Sequence, residues 1–461
     1  MFLNLDKKTP DSLAVIDDSG EQLTYGDLCC KAKEFSEVLP YRTLIFILAE
    51  NCNGSLLGYI SALSNRVVPL IISNNIEQSL FDSLYEKYKP EFLWLPNNRI
   101  SDFDLKDSIY STHGYSLVRT GNERPKLYEE LSLLLPTSGS TGSPKLVRHS
   151  YRNIEANAEN VMNLFGLTPA ERAMAVLPMH YTMGLSVIAS HLYAGATILL
   201  CGKSMLDPDF WKMIKNGATS FTGVPYSFEL LSKLRFFRMD LPDLKIVSQG
   251  GGKLTEDMWM QICAYAAEKG KKFIATYGQS ECTARMAYLP AELASTKVCS
   301  IGIAEPGGQL SLIDNDGNET FEGEATGEMV YRGENVTLGY ANCLEDLLKG
   351  DENHGVMHTG DLARRDADGC YFIVGRLKRF LKVFGLRIGL DEVENLIRGN
   401  YDTDCYCSGD DEHLQVKLTN ASIAEEIPSF IEEKTHLFYK RVKVEIVDKI
   451  LRNEAGKVIN Q

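Results

Sequence analysis

A short β-rich run at 43–48, a helical stretch at 54–63 and a second β-rich run at 67–72 constrain the fold more than any other feature of this chain. Strand–helix–strand order joins parallel strands, which are buried on both faces and need helices to cover them. The alternation returns with strand 173–177, helix 185–193 and strand 197–200. Further on, strand 220–222 precedes helix 226–234, and strand 245–248 precedes helix 255–269. These units predict an α/β fold with a large N-terminal layered α/β body. After about residue 300 the texture changes to short strands and Gly/Asp turns such as Asp314-Asn315-Asp316-Gly317-Asn318. That change suggests an antiparallel subdomain or a small β-barrel. A length of 461 residues implies two or more domains.

The most informative loop lies between two β-rich runs. Leu133-Leu134-Leu135 ends at Pro136, and Thr137, Ser138, Gly139, Ser140, Thr141, Gly142, Ser143 and Pro144 lead to Lys145. Small residues let the backbone approach a polyphosphate closely, with N–H groups free to point at its oxygens. Thr137, Ser138, Ser140 and Thr141 add hydroxyl donors and Lys145 adds positive charge. The loop reads as a phosphate cradle, against the plainer reading of a solvated Ser/Thr/Gly loop. It is not a Walker A motif, because the lysine follows the last glycine at the wrong spacing.

Composition limits the partners. A net charge of −14 argues against nucleic acid and against an anionic membrane surface. The first eight residues lack a signal-peptide core, and the longest apolar stretch, around 187–201, is too short to span a bilayer. That stretch reads as a core helix followed by a strand. Eleven cysteines are scattered without a repeated Cys-x-x-Cys framework, so reduced thiols and a cytoplasmic location are expected, and no zinc site.

The loop and several later motifs, taken in order from Leu23-Thr24-Tyr25 to Gly456-Lys457, resemble the adenylate-forming superfamily. That group contains acyl- and aryl-CoA synthetases, adenylation domains of peptide synthetases, and luciferases. The loop matches its Thr-Ser-Gly-Ser/Thr-Thr-Gly-x-Pro-Lys pattern, with Leu146 where glycine is commoner. The resemblance implies an N-terminal AMP-binding domain, 1–377, and a small mobile α+β C-terminal lid domain, 378–461. The hinge is placed near Lys378, where aspartate is common in the family, and the 400–420 segment looks trimmed.

The remaining motifs carry the chemistry that the resemblance implies. In Tyr277-Gly278-Gln279-Ser280-Glu281, Tyr277 lies against adenine, Ser280 binds the α-phosphate and Glu281 holds Mg²⁺, a cation that takes few protein carboxylates. Gly250, Gly251 and Gly252 floor the adenine and acyl sites, with Gly252-Lys253 replacing the usual Ala-Pro. In Thr359-Gly360-Asp361 the aspartate accepts from the ribose hydroxyls, and Arg376 reaches the same ribose. His180, in Pro178-x-His180-x-x-x-Gly184, shapes the acyl pocket, which Gly278 also lines. Lys457 is the lid lysine that bridges the carboxylate and the α-phosphate. Lys382, in Lys382-x-x-Gly385-x-Arg387 with Glu392 and Glu394, belongs to the strip that admits a pantetheine thiol after the lid rotates. A cation at Arg285, just past Glu281, would suit an acid with a second anionic or strongly polar group. Pairing with a protein carboxylate is the other reading of that arginine.

The expected activity is ATP-dependent adenylation of a carboxylic acid, a small-molecule substrate whose identity the sequence leaves open, followed by acyl transfer to a thiol, coenzyme A first. Transfer to a carrier-protein phosphopantetheine or an amine shares every motif. A non-catalytic nucleotide-binding homologue is a further alternative, and a kinase is disfavoured by the missing Walker spacing.

Overall fold

Leu44–Ala49, buried at every position, runs through the interior of an eight-stranded sheet. In order across the sheet the strands are Tyr340–Ala341, Leu146–Ser150, Leu131–Pro136, Val68–Ser73, Leu44–Ala49, Phe92–Pro96, Tyr115–Arg119 and Ser108–Thr112. Leu44–Ala49 pairs in parallel with Val68–Ser73, from Leu44↔Val68 to Ala49↔Ser73, across the helix Asn53–Ser64. The computed structural model describes residues 1–103, 108–136, 145–377, 379–383, 386–410, 412–452 and 458. At 380, 382, 383, 386 and 387 it describes the backbone only.

A second, nine-stranded sheet has six parallel strands at its centre: Lys272–Tyr277, Ile246–Gln249, Ser220–Gly223, Arg172–Ala175, Thr197–Leu200 and Leu13–Asp17. The helices Asn53–Ser64 and Thr182–Ala194 are buried around nearly their whole circumference. Helices apolar on all sides belong inside a core rather than on a surface. Both contribute to one cluster with the two sheets, through Leu56 and Ile60, Ile188 and Leu192, and the strand residues Ile45, Ile47 and Ile198. The long apolar stretch noted in the sequence is thus a helix, a left-handed Gly195 (φ 79°) and a strand. The helix Tyr151–Phe165 starts at a Ser150/Asn153 capping box and stops at Gly166 in the same left-handed region.

Contacts divide the chain into two compact units, Met1–Gln309 with Arg332–Met357, and Leu310–Tyr331 with His358–Gln461. The second holds a five-stranded sheet, in order Glu319–Thr320, Gly308–Ile313, Ala325–Gly333, Val356–Arg365 and Tyr371–Arg376, where the sequence suggested an antiparallel subdomain or barrel. After it come the hairpin of Phe380–Val383 with Leu386–Gly389, the helices Leu390–Asn400 and Ile427–Thr435, and a three-stranded sheet. Val393, Ile397, Cys405, Cys407, Val416 and Ile431 form the core there, so the close cysteine pair is packing material. The boundary expected at 377/378 falls inside this second unit, directly after the strand Tyr371–Arg376. Among the described residues no helix is long and apolar enough to cross a membrane.

Candidate functional site

Parallel strands present their carboxyl ends to ligands, and the first unit places its motifs there. Ile246–Gln249 runs into Gly250, Gly251 and Gly252, and Lys272–Tyr277 runs into Gly278. A Cβ on Gly250 would meet Met183 Cε at 2.6 Å and Thr276 Oγ1 at 2.8 Å. The triglycine loop therefore touches both the start of the Thr182–Ala194 helix and the end of the Tyr277 strand. Gln249 Nε2 pins the loop by donating to the Gly252 carbonyl at 2.6 Å.

The turn after Tyr277 is tight and strained. A Cβ on Gly278 would lie 1.7 Å from the Ala284 carbonyl oxygen, so only glycine fits. Thr283 (φ 51°) and Ala284 (φ 86°) follow in backbone conformations that side chains disfavour. Asn335 holds the turn, its Nδ2 donating to the carbonyls of Cys282 (3.0 Å) and Arg285 (2.8 Å). Strain kept in place by a dedicated side chain is a mark of a functional segment.

Ser280 and Glu281 sit inside that turn. Thr182 Oγ1 donates to Ser280 Oγ at 2.8 Å, which ties the His180 segment to the Tyr277 motif. Tyr340 donates its hydroxyl to Glu281 Oε1 at 2.7 Å. The same tyrosine ring lies 5.4 Å from Lys145 Nζ, because Tyr340–Ala341 pairs with Leu146–Ser150 immediately after that lysine. Lys145, Tyr340 and Glu281 thus form one chain of contacts. Arg148, wholly buried, donates to the Tyr340 carbonyl (3.1 Å) and the Leu338 carbonyl (2.9 Å) and so fixes the tyrosine's backbone.

His180 is held by the segment before it, where Asn51 accepts from Met179 N and donates to the Leu177 carbonyl. Burial pushes its pKa down to about 4, so it is neutral at physiological pH and cannot serve as a cation. Arg285 is buried, and its Nη1 donates to Ser186 Oγ at 2.6 Å. No described carboxylate pairs with it, although Glu305 is close enough to offset part of the burial that lowers its pKa to about 10.

In the second unit, Asp361 is buried and its Oδ1 lies 2.8 Å from Arg376 Nε on the neighbouring strand, where the two residues face each other in register. Thr359 secures the motif by donating to the Met329 carbonyl at 2.6 Å and accepting from Asp361 N. Lys382 pairs with Arg387 through the backbone of its hairpin. Glu394 is a packing residue, bound to Arg379 and accepting from Cys407 N at 2.7 Å. Thr137, Ser138, Gly139, Ser140, Thr141, Gly142, the hinge Lys378 and Lys457 lie outside the described residues. Tyr340, Asn335 and Arg148 escaped the sequence reading. Only the register of distant strands reveals them.

The described motif residues of the first unit thus gather at the carboxyl edge of a parallel sheet. The AMP-binding enzyme family matches residues 4–341, and the chain belongs to that family. It is 28% identical over 336 residues to a long-chain-fatty-acid–CoA ligase of Salmonella typhimurium, covering 70% of this chain and 56% of that protein. It is 28% identical over 476 residues to a 2-succinylbenzoate–CoA ligase of Bacillus cereus, covering 98% of this chain and 95% of the other. The fold matches o-succinylbenzoate CoA synthetase from Bacillus subtilis in complex with its acyl-adenylate intermediate, at a TM-score of 0.80 and 18% identity over 99% of this chain and 96% of that one. The matched region thus spans little more than half of the Salmonella ligase and nearly all of the Bacillus cereus enzyme.

Proposed function

We propose that this protein activates a carboxylic acid with ATP, forming acyl-AMP and pyrophosphate, and then transfers the acyl group to coenzyme A. The contact chain Lys145–Tyr340–Glu281, with Thr182 bound to Ser280, is the observation that carries the reading. A carboxylate attacks an anionic triphosphate poorly unless charge is neutralised and the two are held in line. Lys145 supplies a cation directly after the Thr/Ser/Gly sequence motif read as phosphate-binding. Ser280 offers a hydroxyl to the α-phosphate, and Tyr277 with Gly250, Gly251 and Gly252 takes the adenine. Asp361 and Arg376 bind the ribose as a paired acceptor and donor. Gly278 and His180 shape the acyl pocket, where a neutral imidazole adds no charge.

Glu281 fits a magnesium site. It is a hard oxygen donor with one oxygen held by Tyr340, and magnesium completes its shell with phosphate oxygens and water. When bound, the ion would neutralise phosphate charge. Lys457 is assigned to the adenylation step and Lys382 to thiol transfer by motif position, with the hinge near Lys378 and the lid as 378–461. The CoA ligases among the relatives support CoA as acceptor. A cytoplasmic location rests on the scattered cysteines of the sequence.

The test is a pyrophosphate-release screen over chemically diverse carboxylic acids, run with and without CoA and, separately, with carrier proteins. Acid-dependent pyrophosphate and an acyl-CoA product are expected. Background release with every acid would leave a nucleotide-binding homologue without chemistry, and a thioester formed only on a carrier would replace CoA as acceptor.

A further inference from the structure

A buried guanidinium with unused donors is costly, and Arg285 is one. The residue is 1% exposed, and its Cζ lies 5.4 Å from the centre of the Phe165 ring. Nη1 is satisfied by Ser186, but Nε and Nη2 donate to no group among the described residues. Beside it, Asn157 is 1% exposed. Its Oδ1 accepts from Ser186 Oγ at 2.6 Å, while its Nδ2 also donates to nothing described. Three buried N–H-bearing atoms on two side chains, linked through one serine, therefore lack acceptors. Leaving such groups buried without acceptors is unfavourable, and more so when they are charged. Glu305 Oε1 accepts from Asn335 Nδ2 (2.7 Å) and Asn160 Nδ2 (3.2 Å), and Glu305 acts on Arg285 through its charge, leaving Nε and Nη2 without an acceptor among the described residues.

The location connects this cluster to the reacting end. Ser186 lies one helical turn beyond Thr182 on the same face, and Thr182 binds Ser280. A turn advances about 5.4 Å, which is a short spacer between the Ser280 hydroxyl and the Arg285 cluster. The strained Thr283 and Ala284 backbone, clamped by Asn335, is what turns Arg285 inward.

We propose that Arg285 and Asn157 form the subsite for a second carboxylate, so that the acid activated here is a short dicarboxylate. A carboxylate offers up to four lone-pair directions and accepts from a guanidinium fork, which suits Nε and Nη2 together with an amide N–H. This rests on the ligase reading above and adds the substrate class. A monoacid with a methyl in place of the second carboxylate would leave the three donors buried and unmet, and discrimination from that source is large.

The experiment measures kcat/KM for pyrophosphate release with three matched pairs: succinate and butyrate, glutarate and valerate, adipate and hexanoate. At least one diacid should exceed its monoacid partner by roughly 10⁴-fold, the level seen when a site's buried polar groups are left unpaired. Arg285→Met should collapse that ratio, chiefly by lowering kcat/KM for the diacids, and Arg285→Lys should retain part of it. Asn157→Ala supplies the second variant should Arg285→Met fold poorly, and it should reduce the ratio in the same direction. Preference of the wild type for monoacids in all three pairs would overturn the proposal. So would variants that slow every acid by one common factor. If no acid releases pyrophosphate, the ligase reading fails separately. Thermal stabilisation by diacid over monoacid, lost in Arg285→Met, then still decides the binding claim.

Discussion

Tyr340→Phe removes one oxygen and nothing else, which makes it the sharpest probe of the proposed metal carboxylate. The lost contact is the 2.7 Å hydrogen bond from the Tyr340 hydroxyl to Glu281 Oε1. Hydrogen bonds to charged groups are worth ~1.5–3 kcal/mol net, or ~10- to 150-fold in rate if the whole amount acts on the transition state. Tyr340 is half-buried, so water replaces part of the donor, and roughly tenfold is the expected loss. The ring stays in place beneath Lys145, and Arg148 still holds the backbone, so folding stability should change by less than ~1 kcal/mol. ATP–pyrophosphate exchange should be measured over a magnesium titration. The variant should need more magnesium for half-maximal exchange and should stay slower at saturation. Exchange within twofold of wild type at every magnesium concentration would refute the idea that this tyrosine orients Glu281.

Further outcomes follow from other contacts. Gly278→Ala puts a methyl 1.7 Å from a backbone carbonyl and should cost at least ~1–3 kcal/mol in urea denaturation, and a loss under ~0.5 kcal/mol would mean the turn relaxes freely. Asp361→Asn should raise the KM for ATP by roughly tenfold through the ribose, and an unchanged KM would detach the Asp361–Arg376 pair from the nucleotide. Burial pushes His149 down to about 3, and His180 and His191 down to about 4. Below an unfolded pKa of ~6.5 the unfolded chain takes up protons that the folded chain refuses, so stability is full above that pH and falls toward pH 4. Each histidine adds up to ~1.4 kcal/mol per pH unit, and an equal urea midpoint near pH 7 and near pH 5 would contradict the burial. Lys457→Ala should impair acyl-adenylate formation more than thiol transfer from supplied acyl-adenylate, and Lys382→Ala should show the opposite bias, with equal losses in both half-reactions ruling out the division of labour.

Periodicity and punctuation were enough to read the strands and helices of the first unit. Residues 43–72 became strand, helix and strand within a residue or two, since an apolar run bounded by turn residues carries its own secondary structure. One motif glycine was legible for a similar reason: Gly278 is demanded by the Ala284 carbonyl six residues on. Local order also placed Arg285 next to Glu281 in the chain.

Which residues support those motifs depended on contacts that no local pattern encodes. Tyr340 reaches Glu281 across 59 positions, and Asn335 clamps Arg285 across 50, because an edge strand and a loop return to the turn late in the chain. Arg285 itself shows the division most clearly. Its charge and position were visible in the string of letters, but two readings of it were equally open there. Only packing decided that it is buried against Ser186 with no carboxylate partner among the described residues, since burial and hydrogen-bond supply belong to the folded surroundings rather than to the residue.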